Sequence, residues 1–395
     1  MSARTAPAAR RHVAAALLAV VVLNLPLGTV YAFSVFLRPM EAELAASRAE
    51  LSFVFGLALV AFTVGMNLAP ALYRLAPAWV LVVGCMAVSS AGMGLAASAA
   101  GTAGLAVGYG VLFGLGGGGA YVLLVQGVNL MLSGHRRQGL ANGFIVSLFP
   151  IGAMIGAPLF GWALGAWGLR ATLGGLAAAL AAAGAVAAAL VAASGMAVTA
   201  PAGGSAAPPE RKASVFLRLW AAFFLAAAAG LMVLGQAAGM VEAYGGSKAL
   251  ALFATTAITG CIAAARIGGG WLADRFSAPG VMVGAHVLAL CGGLLLLAAP
   301  GALASVATLA MIGMGYGLVS GSTAAAVAVY WGAAQYGRIA GRLYVAWCAA
   351  AVTLPVVAGR LFDLSGGYAG AVMIAVAGNA LGVAVAASLP RRAGI

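Results

Sequence analysis

The sequence predicts an all-α membrane protein with twelve transmembrane helices in two pseudo-symmetric six-helix bundles. Three features of the chain predict this fold class: its composition, the recurrence of long apolar runs, and a change of composition near the middle. Of the 395 residues, 64% are hydrophobic and 7% are charged, whereas soluble domains are about 25% charged. The mean hydropathy is +1.09. A soluble protein with this composition could not cover its surface, so lipid is the expected solvent.

The apolar runs define the individual helices. Each run is close to the roughly 20 residues that are needed to cross a bilayer. Backbone groups in lipid must form hydrogen bonds within the spanning structure, and the strands of a barrel would be shorter and would alternate in polarity, so we predict helices. Charged or Pro- and Gly-rich breaks separate the predicted spans, which are residues 12–37, 51–72, 79–98, 103–130, 140–163, 171–194, 217–241, 249–273, 280–299, 302–330, 339–362 and 369–389.

A connector is predicted between the sixth and seventh spans. Residues 195–215 are rich in Pro, Gly, Ser and Ala and end in a charged cluster, which is typical of a flexible segment. We therefore expect an N-terminal bundle over 1–194 and a C-terminal bundle over 216–395. A duplicated fold should also repeat residues at a fixed offset. The glycines that recur after 198 residues are Gly139, Gly143 and Gly161, matching Gly337, Gly341 and Gly359, and those that recur after 199 are Gly114, Gly116 and Gly118, matching Gly313, Gly315 and Gly317.

The distribution of charge predicts the orientation. The formal net charge is +13. With the N-terminus in the cytoplasm, fourteen cations and two acids lie inside, and five cations and five acids lie outside. This is the positive-inside pattern of membrane proteins, so the basic balance does not require a nucleic-acid partner. We expect a multi-pass protein of a bacterial inner membrane, with Met1, Ser205, Arg338 and Ile395 in the cytoplasm and Glu43 and Gly245 outside.

The sequence offers no pattern typical of an enzyme or of a cofactor site. The four cysteines, Cys85, Cys261, Cys291 and Cys348, lie singly in predicted spans, which indicates neither a disulfide nor a metal site. The glycine run 116–119 lacks the Lys-Ser or Lys-Thr that would follow in a phosphate-binding loop. We therefore predict a monomeric protein with no cofactor, no metal and no catalytic residues, in contact with membrane lipid.

Several segments carry family motifs. The segment GTVYAFSVFLRPM begins at Gly28, GLGGGGAYV begins at Gly114, and RRQGLANG begins at Arg136. ARIGGGWLADRF begins at Ala265, and GMGYG, QYGRIAG and AGRLFDLSGGY follow it. Together these segments resemble the major facilitator superfamily, and within it the oxalate/formate antiporter and monocarboxylate porter group. The resemblance implies the major facilitator fold, transport of a small organic anion by alternating access, and a gating loop at Asp274 and Arg275.

Three positions depart from the pattern that the resemblance implies. Tyr73 stands in the first half where the Asp-Arg loop would place an acid, so the corresponding interhelical lock is weakened. The predicted span 339–362 contains no lysine, although oxalate antiporters of this group carry a second basic residue there. Ile262 stands where proton-coupled monocarboxylate porters carry an aspartate. Because the second basic residue is missing, the resemblance does not imply a preference for a dianion.

Arg266 lies well inside the predicted span 249–273. A guanidinium near the middle of a membrane helix costs about 2.5 to 3.5 kcal/mol, so it needs a partner or a wet cavity. Its planar fork matches a carboxylate, which favours a role as substrate anchor. The alternative is snorkelling, because Asp274 is eight residues further on, roughly 12 Å along the helix, and the side chain could reach the headgroups.

Hydroxyl groups follow the same helix face. Helical steps back from Arg266 reach Thr259 and Thr255, although threonines in membrane helices often bond their own carbonyls instead. The same spacing relates Tyr316, Ser320 and Thr323 in one span, and Asn24, Gly28 and Tyr31 in another. Aromatic residues in spans, however, often serve only to pack helices together or to anchor them at the membrane interface. The candidate substrate-binding residues are Arg266, Tyr31, Tyr316, Thr259, Thr255, Tyr121, Trp347 and Ser320.

The leading hypothesis is a secondary active or facilitative carrier for a mono- or dicarboxylate, with a proton or a counter-anion as the candidate coupled species. One alternative is a multidrug or metabolite efflux carrier. Carriers of cations usually place a buried acid on the route, whereas no acid lies within a predicted span except Glu242 and Asp363, which are at outer ends. The other alternative is a membrane sensor that transports nothing.

Overall fold

The computed structural model describes residues 5–46, 48–199 and 212–390. Within these ranges the regular structure is helical, and eleven helices are long and apolar enough to cross a membrane. The longest helix, Gln138–Ser194, contains a non-helical residue at Gly168 (φ 77°, ψ 178°) and therefore joins two of the predicted spans. The prediction of an all-α membrane protein is confirmed, and the break at Gly168 accounts for the twelfth span.

The helices agree closely with the predicted spans, because the bilayer fixes both their length and their composition. They are α1 Thr5–Gly28, α2 Leu37–Leu44, α3 Arg48–Leu72, α4 Ala78–Ser98, α5 Thr102–Leu105, α6 Gly114–Met131, α7 Gln138–Ser194, α8 Lys212–Ala243, α9 Lys248–Arg275, α10 Ala278–Ala298, α11 Ala302–Trp331, α12 Tyr336–Val352, α13 Leu354–Ser365 and α14 Ala369–Ala387.

Two predicted spans contain irregular helix. Pro26 interrupts the hydrogen bonding of α1, and the chain then tightens into a 3₁₀ segment over Thr29–Phe36. The span that contains α6 begins with α5 and a π-helical stretch over Ala106–Phe113. These distortions lie within single spans, so the predicted order of spans along the chain is unchanged.

The described residues form two compact units. The first contains residues from 1–133, 148–206 and 332–342, and the second contains residues from 134–147, 207–331 and 343–395. The first ten residues of α7 therefore pack in the second unit, and the first seven residues of α12 pack in the first unit. The bundle boundaries that the sequence predicts stay a prediction, and residues 200–211 of the predicted connector lie outside the described ranges.

Glycines allow close helix packing in the first unit. A Cβ atom at Gly114 or Gly118 would overlap a backbone carbonyl oxygen of α3, that of Ala58 or that of Phe62. A Cβ at Gly116 would overlap the carbonyl oxygen of Cys85 in α4. The glycine-rich α6 is thus in direct backbone contact with two neighbouring helices, as small residues permit in membrane proteins.

The second unit repeats this packing. A Cβ at Gly317 would lie 2.7 Å from the carbonyl oxygen of Ile262 in α9, and one at Gly315 would lie 2.6 Å from that of Ala285 in α10. Gly313 also faces Ile262. Glycines that are 199 residues apart in the sequence therefore make equivalent contacts in the two units, which gives the predicted repeat a structural meaning.

Candidate functional site

Arg266 is the one buried residue among the charged residues that the structure describes, with 4% of its surface exposed. Its Nη1 donates to the carbonyl oxygen of Val146 at 2.7 Å, and its Nη2 donates to the hydroxyl of Tyr316 at 2.8 Å. The Arg266 Cζ also lies 5.1 Å from the centre of the Tyr316 ring, which is within cation–π range. All three residues belong to the second unit.

The acceptor at Val146 has a local cause. Pro150 lies inside α7 and has no N–H, so the carbonyl four residues earlier loses its intrahelical donor. That carbonyl belongs to Val146, and Arg266 supplies the missing donor. The guanidinium is therefore held inside the second unit by a backbone carbonyl of α7 and by the Tyr316 hydroxyl of α11.

Tyr316 is buried, with 1% of its surface exposed. A Cβ at Gly230 of α8 would overlap the Tyr316 side chain, so this glycine leaves the space that the ring occupies. The hydroxyl accepts a hydrogen from Arg266 and still carries its own hydrogen. The structure thus brings two of the sequence-predicted site residues together as a cationic and hydroxyl donor pair.

The two candidate threonines form hydrogen bonds to backbone carbonyls of their own helix. Thr259 donates to the carbonyl of Thr255 at 2.8 Å, and Thr255 donates to that of Ala251 at 2.9 Å. These bonds to the preceding helical turn are the alternative that the sequence left open for threonines in membrane helices. Ser320 is buried on α11, one turn from Tyr316. In this structure the threonines are bonded within their own helix.

Tyr31 and Tyr121 belong to an aromatic cluster in the first unit. The ring of Phe149 lies 6.1 Å from that of Tyr31 and 5.3 Å from that of Tyr121. Phe62 completes the cluster, at 5.8 Å from Tyr121 and 5.6 Å from Phe149. Sequence reasoning missed Phe149. Its neighbour Pro150, a conspicuous residue inside a predicted span, was the available signal.

Trp347 lies in a second aromatic group, which is part of the second unit. Its ring is 6.1 Å from that of Tyr344, and Tyr344 is 5.8 Å from Phe223 of α8. Trp347 is buried, with 4% of its surface exposed. Five of the eight sequence-predicted residues are therefore found in three groups: Arg266 with Tyr316, Tyr31 with Tyr121, and Trp347 with its aromatic neighbours.

Asp274 and Arg275, the predicted gating residues, have separate partners. The Asp274 carboxylate accepts from the backbone N–H groups of Gly139 and Leu140, each at 2.7 Å, and so caps the start of α7. The Arg275 Cζ lies 4.3 Å from the centre of the Trp271 ring. A cavity of about 290 Å³ adjoins this cap and is lined in part by His135, Arg136, Asp274, Ser277 and Tyr330.

The sequence of residues 17–355 matches the pattern of the Major Facilitator Superfamily. The chain belongs to the Major Facilitator Superfamily. It is therefore a multi-pass membrane transporter and not an enzyme. The family match leaves open the subgroup and the solute. No curated protein matches the sequence of this superfamily member.

Solved structures of superfamily transporters share the fold. The proton:xylose symporter XylE bound to 6-bromo-6-deoxy-D-glucose aligns with a TM-score of 0.75 and 13% identity, covering 96% of each chain. FucP in the outward conformation aligns with a TM-score of 0.70 and 15% identity, covering 94% of this chain and 97% of its own. The human organic anion transporter MFSD10 aligns with a TM-score of 0.68 and 16% identity, covering 96% and 99%. At these identities the likeness shows the fold alone.

Proposed function

We propose that this transporter is a secondary carrier of a small organic anion, a mono- or dicarboxylate, and that Arg266 anchors the carboxylate. The observation that supports the proposal is a buried guanidinium that is held beside a second hydrogen-bond donor, the Tyr316 hydroxyl. An arginine side chain stays charged in proteins. A carboxylate is the anion that matches its planar fork. Tyr316 would donate its remaining hydrogen to the same anion.

The fold leaves the solute class open, because the solved neighbours include transporters named for sugars and for organic anions. The residues favour the anion. The segments around Gly28, Gly114 and Ala265 further support a place in the oxalate/formate antiporter and monocarboxylate porter group. A monocarboxylate fits better than a dianion within that group, since α12 and α13 contain no lysine that could hold a second carboxylate.

The solute class can be tested by counterflow in proteoliposomes. Vesicles preloaded with one unlabelled solute would be offered trace amounts of the same labelled solute, with formate, lactate, oxalate and succinate as the anions and xylose and fucose as the controls. We expect exchange of at least one carboxylate and of neither sugar. Exchange of a sugar without any carboxylate would refute the anion proposal. Failure of every solute to exchange would favour the sensor alternative.

We further propose the orientation that the charge distribution predicts. Glu43 and Arg170, both expected outside, form an ion pair of 2.6 Å in the first unit. Arg136 and Asp274, both expected inside, line one cavity in the second unit. These contacts support the pairing of loops at each end. Of the six marker positions, Met1, Ser205 and Ile395 lie outside the described residues, while Arg338, Glu43 and Gly245 lie within them.

Cysteine labelling would test the orientation. In a chain without its four native cysteines, a cysteine at exposed Arg338 should react with an impermeant maleimide only after the cells are lysed. A cysteine at exposed Lys248, three residues after Gly245, should react in intact cells. The matched pair controls for expression and for thiol reactivity. Labelling of Arg338→Cys in intact cells, with protection of Lys248→Cys, would reverse the assignment.

A further inference from the structure

We propose that Gln126 locks the start of α12, in the role that Asp274 has at the start of α7, and that this lock opens during the transport cycle. The proposal goes beyond the proposed function, because it concerns how the carrier changes conformation. It does not depend on which solute is carried. It concerns two short segments that we call the exchanged segments. Residues 134–147 belong to the first half of the sequence but to the second unit, and residues 332–342 belong to the second half but to the first unit.

Gln126 is buried in α6, with 1% of its surface exposed. Its Oε1 accepts from the backbone N–H of Gly337 at 2.6 Å, and its Nε2 donates to the carbonyl of Ala333 at 3.0 Å. Gly337 is the second residue of α12, and Ala333 begins the 3₁₀ turn before it. The first N–H groups of a helix have no intrahelical acceptor. One side chain thus holds both the helix start and the turn that precedes it.

The same helix position is capped in the second unit by a carboxylate. Gly139 is the second residue of α7 and precedes Gly337 by 198 residues. Its N–H donates to the carboxylate of Asp274, the last but one residue of α9, and in the first half Tyr73 lies directly after the end of α3. Tyr73 is the position that lacks the expected acid. A Cβ at Gly337 would lie 2.6 Å from the Tyr73 hydroxyl, so the tyrosine is at the right place.

Tyr73 does not supply the missing acceptor charge. Burial, and to a smaller extent the Cys85 thiol, raises the pKa of Tyr73 well above its ordinary value, so the hydroxyl stays neutral. The N–H of Gly337 bonds instead to Gln126, which reaches it from a different helix. The position equivalent to Gln126 in the second half, 199 residues later, is Ala325. The two locks are therefore built from different residues at equivalent helix starts.

A second contact supports each lock further along the exchanged segment. Asn67 of α3 donates from Nδ2 to the carbonyl of Gly341 in α12, at 2.8 Å. Arg266, which follows Asn67 by 199 residues, donates to the carbonyl of Val146 in α7. Each unit thus holds its exchanged segment by a cap on the second N–H group and by a side-chain donor about one to two turns later.

The two locks should break together. Helices α7 and α12 each run from one unit into the other, so neither helix can leave its lock without moving its remaining turns. Alternating access requires the two halves of such a transporter to rearrange around the solute site. A neutral amide cap is weaker than a carboxylate cap at a helix start. The lock at Gln126 is therefore the weaker of the two. We expect it to influence the equilibrium between the conformations of the transporter.

The experiment follows the reactivity of buried cysteines in proteoliposomes without added solute. The reporters are Ala340→Cys in the first unit and Ser147→Cys in the second, at positions that are 3% and 0% exposed. Each is placed singly in a chain without its native cysteines. Gln126→Leu removes the hydrogen bonds to Gly337 and Ala333, and the two longer ones to Val198 and Ala334, at similar side-chain size. It should raise the rate of N-ethylmaleimide labelling about tenfold at both reporters, as expected for the loss of one or two strong buried hydrogen bonds.

Three further variants make the test specific. Gln126→Glu loses the donor to Ala333 but keeps the acceptor for Gly337 and gives it a negative charge, which strengthens the cap. The two changes oppose each other, so the labelling rates should stay close to those of the parent. Asp274→Ala removes the cap in the other unit and should raise both rates, like Gln126→Leu. Thr63→Val is the control, because this buried hydroxyl bonds only to the Leu59 carbonyl of its own helix. It should change neither rate. Gln126→Met replaces Gln126→Leu if the leucine variant does not fold.

The lock is supported if Gln126→Leu accelerates both reporters and Gln126→Glu does not. An increase at Ala340→Cys alone would mean that Gln126 only packs the local turn, which would overturn the proposal. Unchanged labelling at both reporters in folded protein would overturn it as well. Because no solute is present, these outcomes are distinct from failure of the carboxylate proposal in counterflow.

Discussion

Arg266→Ala is expected to abolish nearly all carboxylate uptake while folded protein remains in the membrane. The substitution removes the charge that would bind the anion. Its effect on folding is expected to be small, because two contributions oppose each other. Removing a buried guanidinium relieves about 2.5 to 3.5 kcal/mol of insertion cost. Leaving the Val146 carbonyl without its donor costs about 1 to 3 kcal/mol. Loss of transport would therefore report on recognition rather than on folding.

Arg266→Lys separates the charge from the geometry. A lysine keeps the cation but lacks the planar fork, so it cannot bond the Val146 carbonyl and a carboxylate in the way that two guanidinium nitrogens can. We expect weaker binding with some remaining transport. Counterflow of a labelled carboxylate measures the effect, and size-exclusion chromatography measures the folded fraction. Arg74→Ala, at an exposed position just beyond α3, is the control. Wild-type rates in Arg266→Ala would exclude the anchor and direct attention to Tyr31, Tyr316 and Thr259.

The spans could be predicted from the sequence because the bilayer imposes length and polarity on each helix independently of its neighbours. The break at Gly168 falls between two predicted spans, and only its positive φ had to come from the structure. The irregular segment Thr29–Phe36 was not predicted, since hydropathy does not distinguish a 3₁₀ turn from an α-helix. Pro26, which precedes that segment, was its local signal.

The site was predictable in part for a similar reason. A charge inside an apolar run is conspicuous, so Arg266 could be identified from the sequence, and helical spacing placed Tyr316 among the candidates. Their contact depends on how α9 and α11 pack, which periodicity does not encode. The roles of Val146 and Gln126 were missed because a backbone carbonyl carries no sequence signal, and a lone glutamine in a span suggests no particular partner. The exchange of residues 134–147 and 332–342 between units likewise depends on long-range packing.

Gly321→Val is expected to destabilise the second unit by about 3 kcal/mol or more, at the upper end of the range for overpacked cores. A Cβ at Gly321 would overlap the backbone carbonyl oxygen of Arg266. A flexible side chain could move away, but a helix backbone moves only with its whole segment, so α9 and α11 would have to separate. The same displacement would shift Arg266 and should eliminate transport in whatever protein still folds.

Gly284→Val is the matched control for this substitution. Gly284 lies in α10 of the same unit and is exposed, and a Cβ there would meet nothing within 4 Å. It should leave the unfolding temperature and the monodisperse fraction in size-exclusion chromatography near those of the parent, while Gly321→Val lowers both. Equal behaviour of the two variants would show that α9 and α11 do not approach at Gly321 as closely as the structure has them. The geometry that places Arg266 beside Tyr316 would then have to be revised.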